Sequence, residues 1–285
     1  MKNLLFLVLF LFCTAKVASQ AKAKNPPNFV VIFADDLGYG DLGVYGHPTI
    51  KTPNLDRMAN EGQKWTNFYA GASVCTPSRA ALLTGRLPVR SGMASDKHRV
   101  LFPDSKNGLP SSEVTLAEQL KKVGYSTAAI GKWHLGHKEQ YLPTNHGFDY
   151  YFGIPYSNDM DMVSGLAPYW DYWQQPNDSI KTEHFNVPLF RNTEIIERPA
   201  NQHTITTRYS DETVSYIKQN KDKPFFVWVN TSRMHLYTRL DEKWRYAAEN
   251  YTSEFDYYGS GMLQHDDDIG FLLSEIDKRK ITDNT

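Results

Sequence analysis

This sequence has little cysteine, no surplus of charge of either sign and no apolar stretch of membrane-spanning length. Two cysteines, Cys13 and Cys75, in 285 residues exclude a disulfide-stapled scaffold. Thirty-one Lys and Arg against 32 Asp and Glu leave a formal charge of −1, so no global field draws the chain to nucleic acid or to an anionic membrane. Affinity for an anion would have to come from a local cluster of cations. The apolar run from Leu4 to Phe12 is shorter than the about 20 residues needed to cross a bilayer. No internal repeat or low-complexity segment stands out. What is present, 41% hydrophobic and 22% charged residues, is enough for one large α/β domain or two small ones with a sizeable core. The 17 tyrosines suit core packing and also the handling of sugars or rings.

The N-terminus has the three parts of a secretory signal peptide: basic Met1-Lys2-Asn3, the apolar run, and small residues Val17-Ala18-Ser19 before a cleavage point near Ser19 or Gln20. The expected organisation is a signal peptide over 1–19 and a catalytic domain over 20–285. Phe12 before Cys13 argues against a lipoprotein site. Cleavage removes Cys13 and leaves Cys75 alone, either a buried bystander or a chemically special thiol.

Beyond a polar spacer, Phe29 to Ala34 is a β-branched apolar run that reads as a central parallel strand. Pro53 to Glu61 reads as a helix with Pro53 in its first turn and Gly62 closing it. Thr115 is placed to cap a second helix carrying Leu116, Leu120 and Val123, and a strand follows over Ser126 to Ile130. A helix over Tyr209 to Gln219, a strand over Pro224 to Val229 and a helix from about Phe255 to Lys278 complete the pattern. Such alternation implies βαβ units around a mostly parallel sheet, with ligands beyond the carboxyl ends of the strands. Asp159 to Pro199, rich in Trp, Tyr, Pro and Asn, reads as an irregular excursion that shapes specificity or serves only as a loop.

Two places carry chemistry. Asp35 and Asp36 end the first strand. Adjacent carboxylates there are costly without a cation and suit Ca²⁺ or Mg²⁺, although such a pair is more often a solvated turn. The second place is Cys75-Thr76-Pro77-Ser78-Arg79, followed by Ala80-Ala81-Leu82-Leu83-Thr84-Gly85-Arg86. Pro77 belongs in a first helical turn, which puts Cys75 at a helix N-terminus where N–H groups and the macrodipole favour an anion. Arg79 adds a positive charge one turn on.

These segments, with F-A-D-D-L-G-Y-G-D-L-G, T-P-N-L-D, G-K-W-H-L-G and G-I-P-Y-S-N-D in the same order, resemble the type I sulfatases of the alkaline phosphatase-like superfamily, most of all the arylsulfatase A and galactosamine-6-sulfatase branch. The resemblance covers about Asn28 to Thr285. It implies an α/β fold with a mostly parallel sheet flanked by helices. It also implies that a maturation enzyme reading C-x-P-x-R converts Cys75 to Cα-formylglycine. One hydroxyl of the aldehyde hydrate, bound to Ca²⁺ (or Mg²⁺), would attack the sulfur of a sulfated small molecule or glycan, and the other would lose its proton to expel sulfate. By the same resemblance Asp35, Asp36 and residue 75 hold the metal, Arg79 fixes the hydrate, Lys132 holds sulfate and His134 supports the hydrate. His235 meets sulfate or the leaving oxygen, and Ser157 touches the site. The other seven histidines are read as surface groups.

In similar proteins a further strand ending in Asp-Asn-Gly, a second active-site lysine and a smaller C-terminal domain follow the point reached at Thr285. Asp283-Asn284 precede that strand and are not the metal pair. The 285 residues are therefore expected to be a piece of the catalytic domain, poorly stable and inactive alone. Two alternatives stay open: a formylglycine-dependent phosphonate or phosphate ester hydrolase, and a non-catalytic sulfated-glycan-binding relative. Asn177, Asn230 and Asn250 each begin an N-x-S/T triplet. The short basic leader and lack of disulfides suit a bacterial periplasmic or secreted protein, membrane-free once cleaved, more than a lysosomal one.

Overall fold

The computed structural model describes residues 26–95, 99–161, 186–236, 238–245, 247 and 254–285. The expected signal peptide lies outside them, as do Asn177, Asn250, His98 and His184. Among the described residues six strands form one sheet in the order β1-β6-β2-β3-β4-β5. They are β1 (Phe29–Ala34), β2 (Ser126–Gly131), β3 (Tyr150–Gly153), β4 (Leu189–Arg191), β5 (Glu194–Glu197) and β6 (Phe225–Thr231). The pairs β1–β6, β6–β2 and β2–β3 are parallel, so four strands point their carboxyl ends the same way. The pairs β3–β4 and β4–β5 are antiparallel. The helices are α1 (Pro53–Glu61), α2 (Cys75–Thr84), α3 (Leu116–Lys122), α4 (Ile205–Asn220) and α5 (Glu254–Lys278).

Alternation along the central strands sorts the core into two layers. Ala128, Ile130, Val227 and Val229 face Tyr209, Tyr216 and Ile217 of α4 and Leu272 and Ile276 of α5. Ala129, Phe226 and Trp228 face Ala80 and Leu83 of α2, Ala117 of α3, and Trp133. Every residue of β2 and β6 is buried, as parallel strands covered on both faces require.

The expected strands and helices are present with shifted ends: β2 runs to Gly131, β6 to Thr231, α4 begins at Ile205, and Val123 caps α3 rather than lying on it. Thr115 caps α3 in a capping box, its Oγ1 accepting from Glu118 N at 3.1 Å while Glu118 accepts from Thr115 N at 2.8 Å. The irregular excursion needs correction at its far end. Leu189–Arg191 and Glu194–Glu197 form a hairpin that extends the sheet, turning at Asn192, whose left-handed φ of 54° suits asparagine. These strands and the four-residue β3 are too short to carry a periodic signal; 162–185 lie outside the described residues.

Two histidines read as surface groups are interior: His146 and His265 are each 1% exposed. His265 lies on α5 between two gripping side chains. Gln264 reaches Arg233 at 3.0 Å. Asp266 accepts from the backbone N–H groups of Asn54 and Leu55 at 3.2 and 2.9 Å, capping α1, whose Thr52 makes no side-chain cap. Burial, with Arg233 adding to it, pushes His265 down from 6.5 to about 4. The depressed value means that the unfolded chain takes up this proton first. The resulting stability is complete above pH 6.5 and is lost as pH falls toward 4. Urea unfolding between these pH values should show a loss of roughly 3 kcal/mol, a slope that His265→Gln flattens.

Candidate active site

The site forms where β1, β2, β3 and β6 end together, beside the N-terminus of α2. Asp35 follows β1 and is 3% exposed. Its backbone N–H donates to Arg233 O at 2.7 Å, and its carbonyl accepts from Met234 N. Its carboxylate accepts from Lys132 Nζ and lies 3.4 Å from Arg79 Nη2, both cations being fully buried. Burial raises the Asp35 carboxyl, but Lys132, Arg79 and His235 together outweigh it and hold the group well below the usual carboxylate range. Uncompensated, an ion in such a place costs several kcal/mol.

Lys132 leaves β2 through Gly131, whose φ is 110°. A Cβ there would stand 1.9 Å from Asn230 O on the neighbouring strand, and that carbonyl accepts from Lys132 N at 2.8 Å. Only glycine admits this approach, which sends the Lys132 ammonium across to Asp35 and to Ser157 Oγ at 2.8 Å. Ser157 follows β3 and is 2% exposed, so Lys132 spans three strand ends.

Cys75 is the first residue of α2, a free and partly buried thiol. Along that helix the segment from Thr76 to Ala80 is buried. Arg79 donates from Nη1 to Lys132 O at 2.7 Å, and Thr76 donates to His134 O at 2.9 Å. The helix is thereby tied to the turn after β2. His134 has a left-handed φ of 56° and is fully buried, with Nε2 2.7 Å from Leu101 O and Nδ1 unpartnered. Burial and then the Lys132 charge push it well below its ordinary value, so it is a neutral imidazole. With the carbonyl obliging Nε2 to carry the hydrogen, Nδ1 is left an acceptor.

His235 follows β6 and stands apart from this core. Its Nε2 is 3.7 Å from Asp36 Oδ2, and its Nδ1 contacts Leu236 O. Asp36 has a side chain 57% exposed and a left-handed φ of 57°. Asp35, Lys132 and Arg79 thus touch one another, Ser157 joins them through Lys132, His134 is tied to them through α2, and Asp36 pairs with His235.

As cation ligands the two aspartates fit in kind and fall short in number. Their hard oxygens suit Ca²⁺, which takes about six to eight, but among the described residues no three His, Cys, Asp or Glu could hold a metal ion together. Asp35 is instead neutralised by Lys132 and Arg79. Asn230 is buried to 1% with neither side-chain atom bonded, which removes its triplet as a glycosylation site in the folded chain. Sequence reasoning missed Thr76, Leu101 and Arg233; of these, only Thr76 lies inside a motif.

A family model described as Sulfatase matches residues 27–285. The chain belongs to the sulfatase family. Arylsulfatase G of Rattus norvegicus is 41% identical over 80% of this chain and 45% of its own length. N-acetylgalactosamine-6-sulfatase of Homo sapiens is 38% identical over 92% of the chain and 49% of its own length. The crystal structure of the PsFucS1 sulfatase from Pseudoalteromonas sp. superposes with a TM-score of 0.76 at 31% identity, over 93% of this chain and 55% of that one. This sulfatase-family chain therefore spans about half the length of the relatives it matches. Among the described residues no helix is long and apolar enough to cross a membrane.

The Gly131 approach is testable in this sulfatase-family chain. Gly131→Ala should destabilise the fold by about 3 kcal/mol or more, since both the left-handed φ and the contact with Asn230 O oppose a Cβ. Denaturant unfolding measures the loss, and Gly92→Ala, left-handed at φ 72° with open space around its Cβ, should cost only about 1 kcal/mol.

Proposed function

We propose that the protein hydrolyses sulfate esters, acting on a sulfated glycan or a small aryl sulfate, with residue 75 as nucleophile. The observation that carries the reading is the buried contact set Asp35–Lys132–Ser157 with Arg79, gathered at strand ends beside the helix N-terminus that bears Cys75. Membership of the sulfatase family supports it, and the name of the similar N-acetylgalactosamine-6-sulfatase favours a carbohydrate substrate. Cys75 enters as Cα-formylglycine, made by a maturation enzyme that reads Cys75 to Arg79, and the aldehyde hydrate supplies a nucleophilic hydroxyl together with a route for releasing sulfate. The protein is exported, and its mature form needs no membrane.

The chain's own groups divide the work. Lys132, locked between Asp35 and Ser157, presents a positive charge that needs no reorganisation as negative charge shifts onto oxygen. Arg79 fixes residue 75 and shares that role. Neutral His134, with Nδ1 free to accept, orients a hydroxyl on residue 75. His235, less buried and next to Asp36, donates a proton to the leaving oxygen. Asp35, Asp36 and residue 75 would together offer ligands to a divalent cation, calcium or magnesium, which would supply further positive charge beside Lys132 and Arg79.

Peptide mass spectrometry at residue 75, with parallel assays on nitrophenyl sulfate and nitrophenyl phosphonate esters, tests this reading on protein from its natural host. The expected results are formylglycine, a preference for the sulfate ester, and a loss of roughly a thousandfold or more in Cys75→Ala. A faster phosphonate reaction would overturn the substrate class. An unmodified thiol without turnover would overturn catalysis in favour of sulfated-glycan binding.

A further inference from the structure

We propose that Arg233 is a positioning residue of this sulfatase-family site, setting His235 and Asp35 through a buried network that anchors the loop after β6 to α4 and α5. The inference rests on the sulfate ester hydrolase reading for its kinetic consequences, while its geometry stands independently.

Arg233 lies two residues before His235 and is 3% exposed. Its backbone does one job and its side chain another. The carbonyl accepts from Asp35 N at 2.7 Å, and the next residue, Met234, donates from its N–H to Asp35 O. This pair of backbone bonds fixes the end of β1 against the loop that carries His235. The guanidinium turns the other way. Its Nη2 donates to Gln264 Oε1 on α5 at 3.0 Å. Gln264 Nε2 donates to Asp241 Oδ2 at 3.1 Å, and that oxygen also accepts from Thr207 Oγ1 on α4 at 2.5 Å. Asp268, one turn beyond Gln264, also interacts electrostatically with Arg233, its own carboxyl pushed up to about 7 by burial.

A buried guanidinium is an expensive way to hold a loop unless its geometry matters. An apolar side chain would fill the volume without the directional bond to Gln264. The bond fixes Arg233 in orientation as well as depth, and His235 is close enough along the chain to inherit both. Small displacements at such a distance carry large rate penalties. Asp35, whose backbone shares the anchor, is steadied by the same network.

The test uses the full-length enzyme with Arg233→Met, Gln264→Leu and their double variant, assayed with nitrophenyl sulfate. Thermal unfolding fixes the folded fraction, and the ring ¹H–¹⁵N signals of His235 report its position. Both single variants should lower kcat per folded molecule by about tenfold or more, with KM within about threefold, because His235 acts on the leaving oxygen in the transition state. The double variant should be no slower than Arg233→Met, since both changes cut one connection. The His235 ring signals should move in every variant. If Arg233→Met does not fold, Arg233→Lys, which keeps the charge without the fork, carries the same expectation. Unchanged kcat per folded molecule, effects that multiply in the double variant, or unmoved His235 signals would each overturn the proposal. If the unaltered enzyme cleaves no sulfate ester, the functional reading falls, and the His235 signals alone decide the role of Arg233.

Discussion

The buried charge of Asp35 is the constraint around which the rest of the site is arranged. A carboxylate with 3% exposure has lost its hydration, and Lys132 and Arg79, themselves fully buried, supply the compensation. Asp35 is stable inside because both cations are there, and each cation because Asp35 is there. That dependence explains local features that otherwise look arbitrary. Gly131 yields to the approach of Asn230 O so that Lys132 can turn inward. Arg79 reaches the carbonyl of Lys132 from α2 as well as its guanidinium meeting Asp35. Ser157 arrives from the end of β3 to take another hydrogen of the ammonium. Several separate chain segments thereby acquire one rigid centre, and residue 75 sits at the start of the helix that joins it.

The helix layer supplies the outer frame. From α5, Asp266 caps α1 and Gln264 holds Arg233, while Tyr258 donates to Asp41 in the turns after β1. The interior of α5 is unusually polar for a helix on a sheet, with Ser260, Gln264, His265 and Asp266 all buried. A purely apolar face would pack as well, but it could not fix the direction of the loops beyond β1 and β6. Directional bonds matter there because Asp35, Asp36 and His235 lie on those loops.

Much of this was legible in the sequence, and the parts that were not have a common cause. β1, β2 and β6 announce themselves as apolar runs, and Pro53, Thr115 and Pro77 mark helix starts by local chemistry. The placement of Asp35, Lys132 and His235 just after strands followed from where parallel sheets put their ligands. What sequence could not supply were pairings between distant residues: Lys132 with Ser157, Arg233 with Gln264, Asp266 with the first turn of α1. His265 reads as a surface group because lone histidines mostly are, yet it and its neighbour Asp266 are buried inside the fold. Likewise β4 and β5 read as loop because a hairpin of three and four residues is stabilised by the sheet it joins more than by its own composition.

A double-mutant cycle on Asp35 and Lys132 tests the central claim most directly, with unfolding free energies measured for Asp35→Asn, Lys132→Met and the double variant. Asp35→Asn leaves Lys132 and Arg79 buried without a counter-charge and should cost about 3 to 5 kcal/mol, and Lys132→Met, which leaves Asp35 with Arg79 alone, should cost less. The double variant should recover a good part of that loss, giving a coupling above about 1 kcal/mol. Strictly additive losses would show that the two charges do not depend on each other, and would contradict an account in which the site is built around their pairing.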